Sequence, residues 1–328
     1  MSTADPLFDD LDAALDRAAK TIDGAEHVTL MCHITPDGDA LGSMLAMHHA
    51  LLAAGRSSTA CFPDPFVIAP HYRQLPGLDL ITRPEDLSGD VGVVVTFDCG
   101  ALGRLGNLRP FAEAASELIV VDHHVSNERY GTINVIDPHA AASGVVVRTL
   151  MDRLGLPLTR DVAFCLYTAL VCDTGRFQYE STTPAVFGLA AELLAFDLPI
   201  SQLSRTLFEE HSFAYLQLLG EALANATLVA EQSFVWTAVT QELLGRHGVT
   251  MDEVEGLIDI IRRTAEADVA CVLKEDRDGT VKVSLRSVGA TDVEQIATLN
   301  GGGGHRFAAG FTSGDSIEAT VDRIRTSL

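Results

Sequence analysis

Three short apolar runs, each closing on acidic or histidine residues, constrain the fold of this chain more than any other feature. Residues 27–32 (HVTLMC) read as a strand run, and 91–97 (VGVVVTF) and 118–121 (LIVV) are continuous rather than alternating, as strands covered on both faces of a parallel sheet require. They give way to His33, Asp37 and Asp39, to Asp98, and to Asp122, His123 and His124. A fourth apolar run closes on Asp173 in the same manner. The carboxyl ends of parallel strands line one edge of an open α/β sheet, so these groups are expected to converge on one crevice. Carboxylates mixed with imidazoles suit hard or borderline divalent ions such as Mn²⁺ or Mg²⁺. The pattern predicts a metal-dependent hydrolase.

Helical spacing surrounds the strands. Leu7, Leu11, Leu15 and Ala18 recur on one helical face, and residues 42–54 form a second helix ended by Gly55. Helical segments then dominate residues 143–194 and carry CLYTALVCDTG. The reading is an α/β fold, with a doubly wound parallel sheet over residues 1–195. Mixed polarity in DLPISQLSRTLFEEH marks a linker at 196–212 and leaves 213–328 as a smaller mixed α/β domain. There, strands are expected at 227–230, 234–240, 268–274 and 280–286, with Asp278-Gly279 turning a hairpin. Helices are expected at 252–264, 292–299 and 316–327.

With 328 residues and 47% apolar content the chain can bury a substantial core. Its net charge of −22 argues against long nucleic acid, which is held by Lys and Arg neutralising phosphates. Any nucleotide substrate should be short. The six cysteines show no CxxC pair and read as buried thiols. Those beside motif residues, Cys32, Cys99 and Cys172, are expected to point to the opposite face of their strands. Acids in the first ten residues, and the lack of an apolar run of roughly 20, predict a cytoplasmic protein without a membrane span.

Four segments carry chemistry in the first domain. In HITPDGDALGS, His33, Asp37 and Asp39 sit on a loop tightened by Pro36 and Gly38, either as ligands or as a helix start capped by Asp39. TFDCG supplies Asp98, DHHVSN supplies two adjacent imidazoles, and CDTGRFQY supplies Asp173. Together they predict a two-metal site. His48, His49, His139 and His211 lack acidic companions at ligand spacing and read as packing or surface residues. In the second domain, SLRS offers Arg286 as a phosphate clamp or as a solvated strand end. NGGGGHRFAAGF is either a flexible linker or an anion-binding run. In the second case glycines 301 to 304 present successive amides to an anion, with His305 and Arg306 following at a helix start.

Through HITPDGDALGS, TFDCG, DHHVSN, CDTG, SLRS and GGGGHRFAAGF, the chain resembles the DHH/DHHA1 phosphoesterase family over nearly its whole length. Within the family the resemblance is to the stand-alone nanoRNase and pAp-phosphatase type. It implies His33, Asp37 and Asp98 on one Mn²⁺, and Asp39, Asp98, His123 and Asp173 on the other. Asp98 would bridge them, and Mg²⁺ or Co²⁺ could substitute. His124 would stabilise the phosphorane or protonate the leaving group, Asp122 would orient its imidazole, and Arg286, Gly303, Gly304 and His305 would grip a substrate phosphate. The substrates implied are short oligoribonucleotides, linear dinucleotides such as pApA, and 3′-phosphoadenosine 5′-phosphate (pAp). Cyclic di-AMP is the alternative. A silent nucleotide-binding regulator should lack a ligand, and none of the six metal-site residues is replaced. A homodimer built on the second domain is compatible with the sequence.

Overall fold

Valine and isoleucine are stiff at χ1 and pack well on a pleated surface, and the apolar runs rich in them form the centre of a six-stranded sheet. The computed structural model describes residues 11–87 and 91–328. Leu7 and the acidic opening stretch lie outside the described residues. The chain divides into two units between Phe208 and Glu209.

The first unit runs α1 Leu11–Gly24, β1 His27–Cys32, α2 Gly38–Ala53, β2 Ser57–Cys61, β3 Ile81–Thr82, β4 Val93–Phe97 and α3 Arg109–Ala114. It continues with β5 Glu117–Asp122, β6 Ile133–Ile136, α4 Ser143–Arg153, α5 Arg160–Asp173, α6 Pro184–Leu194 and α7 Ile200–Phe208. Every pairing is parallel, in the order β3-β2-β1-β4-β5-β6. The order reverses between β1 and β4, and a crevice opens at such a switch point beyond the carboxyl ends of the strands. Helix α2 is buried on nearly all sides and packs on α5, whose residues from Val162 to Val171 are also buried.

The helical reading of CLYTALVCDTG holds, and Asp173 ends helix α5 and not a strand. Cys172 therefore lies on a helix, and the strand argument for its direction does not apply to it. The expected linker is largely the amphipathic helix α7, which buries Leu203, Thr206 and Leu207. Gln74 Nε2 donates to Thr206 Oγ1 at 2.6 Å and ties α7 to the first unit.

Among the secondary histidines, His48 is buried on α2 with Nδ1 2.9 Å from Ser58 Oγ. Burial lowers its pKa to about 4. The native ring stays neutral while the unfolded ring takes a proton near pH 6.5, so stability falls as pH drops from about 6.5 towards 4. Solvent near the ring reduces the full effect to on the order of 1–2 kcal/mol. Urea denaturation at pH 7 and pH 5 should show a smaller acid-side loss for His48→Gln than for the parent.

The second unit runs α8 Phe213–Ala224, β7 Thr227–Val229, β8 Phe234–Val239, α9 Gln241–His247, α10 Leu257–Ile261, β9 Val269–Glu275 and β10 Val281–Ser287. It ends with α11 Val293–Leu299, β11 Gly303–His305, β12 Ala308–Ser313 and α12 Ile317–Thr326. Its sheet, β11-β12-β10-β9-β8-β7, is antiparallel except for the β8–β9 pair. The turn at Asp278-Gly279 joins β9 to β10, with Gly279 at φ 85°. The glycine run does not start a helix. Gly303, Gly304 and His305 form edge strand β11, opposite Gly310, Ala309 and Ala308. Close approach selects glycine there, since a Cβ on Gly302 would lie 2.1 Å from Gly310 O and one on Gly304 2.5 Å from Ala308 O.

Among the described residues no helix is long and apolar enough to cross a membrane.

Candidate metal centre

Adjacent strands β1, β4 and β5 deliver three of the sequence motifs to one edge, and the end of α5 delivers the fourth. Asp37 rather than Asp39 caps α2. Its Oδ1 accepts from the amides of Asp39 and Ala40 at 3.1 and 3.0 Å, leaving Oδ2 to face His33 Nε2 at 3.8 Å. Asp39 falls in the first turn of the helix, fully buried.

Three groups form within the first unit, His33–Asp37–Asp98, Asp39–His123–Asp173 and Asp98–Asp122–His124, each with one atom per residue within 4.8 Å of the others. Asp98 reaches the first two with different oxygens. Its Oδ2 is 3.6 Å from His33 Nε2 and its Oδ1 3.6 Å from His123 Nε2. His123 Nε2 also faces Asp39 Oδ2 at 3.8 Å and Asp173 Oδ2 at 3.1 Å. Most of these distances exceed a hydrogen bond, whereas atoms about 2.1 Å from one ion stand about 3 Å or more from each other.

Both ring orientations suit metal ligation. His123 Nδ1 lies 3.1 Å from Ala140 O, and His33 Nδ1 lies 2.8 Å from Ile34 O. A carbonyl there keeps the proton on Nδ1 and turns the Nε2 lone pair to the cluster. Arg104 Nη2 also approaches His33 Nδ1, at 2.9 Å, a contact that calls for the other tautomer. The carbonyl contact is the one that ligation demands.

Electrostatics point the same way. Burial, with Asp98 and Asp173 nearby, holds Asp39 well above the usual carboxylate range, and burial likewise raises Asp173. Burial opposes a charge on His33, yet Asp37 and Asp98 push it up to about 9. Burial also opposes ionisation of Asp98, but His33 and the other imidazoles hold it below the usual range. The metal-free cluster thus recruits protons to balance crowded carboxylates, a role that divalent cations would take over. The donor set fits such ions.

His124 belongs to the third group, with Nδ1 3.6 Å from Asp98 Oδ1. Its Nδ1 lies 2.7 Å from Asp122 Oδ1, which also accepts from the His123 and His124 amides at 2.7 and 3.2 Å. Asn127 Nδ2 donates to Asp122 Oδ2 at 2.5 Å. Asp122 is fully buried and committed to these donors. Burial lowers His124, while its bond to Asp122 more than restores it and leaves the pKa raised.

Sequence reading assigns no role to Ser143, Asn127 or Tyr130. Ser143 Oγ donates to Asp98 Oδ1 at 3.0 Å, and the Ser143 and Gly144 amides donate to Asp39 at 2.6 and 2.9 Å. Asp98 takes φ 53°, a strained conformation for a residue other than glycine. The corner is held by Asp98 N donating to Val121 O at 3.0 Å. Tyr130 and Asn127 donate to Cys99 O at 3.0 and 3.3 Å.

In the second unit, Arg286 and His305 are both paired with Ala308. Paired positions share a face, so the two side chains stand on one face, about 10 Å apart across three strands. Gly303 and Gly304 lie beside them.

The parallel-sheet unit with its carboxylate–imidazole centre, joined to a smaller mixed-sheet unit, defines a hydrolase of the phosphoesterase class. The chain belongs to the DHH family: residues 27–170 match the DHH family N-terminal domain and residues 231–328 match the DHHA1 domain. It is 32% identical over 309 residues to the bifunctional oligoribonuclease and PAP phosphatase NrnA of Thermus thermophilus, covering 93% of this chain and 89% of that protein. The Bacillus subtilis protein of the same name is 24% identical, covering 94% and 96%. An exopolyphosphatase-related protein from Bacteroides fragilis superposes with a TM-score of 0.88 at 25% identity, covering 99% of this chain and 97% of that one.

Proposed function

We propose that this protein is an Mn²⁺-dependent phosphoesterase that cleaves short oligoribonucleotides, including pApA, to mononucleotides and removes the 3′-phosphate of pAp. The observation that carries the reading is the single carboxylate of Asp98 presented to two ligand clusters, with His124 braced beside it by Asp122. The names of the T. thermophilus and B. subtilis relatives supply the substrate class.

In this reading His33, Asp37 and Asp98 hold one divalent ion, and Asp39, Asp98, His123 and Asp173 hold the second. Bound ions supply Lewis acidity and a water acidified enough to attack phosphorus at neutral pH. Ser143 holds the carboxylates of Asp98 and Asp39 in place. Asp122 fixes His124 with the proton on Nδ1 in the neutral ring, and in the imidazolium Nε2–H can donate to the leaving oxygen. Arg286, His305 and the Gly303 and Gly304 backbone bind a substrate phosphate on the second unit.

Ser143→Ala should weaken Mn²⁺ binding by about 10- to 100-fold, as loss of a group orienting a ligand does. Calorimetric titration of the purified protein checks this. The reading itself is tested by Mn²⁺-dependent turnover of pApA, pAp and cyclic di-AMP in parallel, with Asp98→Ala as blank. Cleavage of pApA and pAp with the ring left intact supports it. Opening of cyclic di-AMP at a comparable rate replaces it with second-messenger turnover, and no turnover of any of the three overturns it.

A further inference from the structure

The turn between β11 and β12 is made of Arg306 and Phe307 alone, since His305 and Ala308 pair across it. Neither residue takes a positive φ, so the turn makes no demand for Gly, Asn or Asp and leaves the choice of both side chains open.

The turn is also held from behind. Val293 N donates to Arg306 O at 2.9 Å, and Ser287 N donates to Phe307 O at 3.0 Å. Both carbonyls are therefore anchored to neighbouring loops, which leaves the two side chains as the part facing outward. The Arg306 guanidinium lies over the Phe307 ring, 5.2 Å from its centroid. Phe307 nevertheless remains 37% exposed, and Val288, next to the residue that anchors it, is 58% exposed. A large apolar ring kept at the surface on a rigid turn, with a cation fixing its plane, suits a flat aromatic ligand. The turn directly follows His305, on the strand to which the preceding section assigns phosphate binding.

We propose that Phe307, with Arg306 over it, is the stacking platform for a nucleobase of the substrate, and that it sets the preference for nucleotides over simpler phosphate esters. The proposal rests on the nucleotide-hydrolase reading and adds the base-recognition element. Stacking tolerates any base because every base has a π-face, so the platform confers a requirement for a base without choosing its identity.

The test uses the full chain and 2-aminopurine riboside 5′-monophosphate, whose fluorescence is quenched on stacking. Phe307→Ala should weaken binding of this probe by about tenfold, and Phe307→Tyr and Phe307→Trp should restore it. Affinity for inorganic phosphate should stay within about twofold in all three variants. In turnover the same substitution should raise KM for pAp with little change in kcat, and leave KM for ribose 3,5-bisphosphate unaltered. Unchanged probe binding in Phe307→Ala overturns the proposal, as does an equal loss for phosphate, which would mark a structural role. Absence of turnover in the parent protein removes the hydrolase reading alone, because quenching reports stacking without catalysis.

Discussion

Replacing Asp98 by alanine is expected to lower turnover by at least about 10³-fold and to reduce bound Mn²⁺ from about two ions per chain to one or none. The expectation follows from the two oxygens of one carboxylate, each 3.6 Å from a different imidazole. No neighbour can replace it: Asp37 already caps α2, and Asp122 is committed to His124 and Asn127. Removing it also leaves His33 and His123 without the negative charge they share. Metal analysis of the purified variant, alongside its melting temperature, separates a lost centre from a lost fold. Retention of two ions with activity near the parent level would refute the bridging role.

Replacing His124 by alanine should act differently, lowering kcat by about 10²- to 10⁴-fold while Mn²⁺ binding is kept. His124 stands outside the two ligand clusters that share Asp98, with Nδ1 bound to Asp122, and in the proposed reading its ring moves a proton. The pH profile carries a sign. Burial works against the imidazolium, but Asp122 raises the pKa, and the protonated donor is lost as pH climbs past that raised pKa. Asp122→Asn removes the carboxylate, so the alkaline limb of kcat should move to lower pH. An unshifted limb would assign the proton to another group.

Much of this centre was legible before any coordinates. The strands at 93–97 and 117–122 announce themselves by continuous apolar runs and the strand at 27–32 by a more mixed one, and their ends supply His33, Asp98 and Asp122. Asp173 was legible as a residue and, through the helical reading of CLYTALVCDTG, as part of a helical segment. The segment around Leu203 and Leu207 looked mixed because one face of α7 is buried and the other is not. Strand β11 escaped because three residues of a glycine-rich run carry no alternation. Ser143, Asn127 and Tyr130 act through hydroxyl and amide groups brought in from distant segments, with Ser143 Oγ reaching Asp98 across 45 positions. No local spacing encodes such contacts.

Strand β11 bears on how the history of this family is read. Gly302 and Gly304 face backbone atoms at distances that no side chain could share, so selection for a folded sheet would by itself keep both positions glycine in every descendant. Their invariance across relatives would record the geometry of a β-edge, and would arise equally in a lineage that had abandoned its substrate. Arg306 and Phe307, which the sheet does not require, are free to drift. Their retention or loss among relatives is the more informative trace of what each lineage binds.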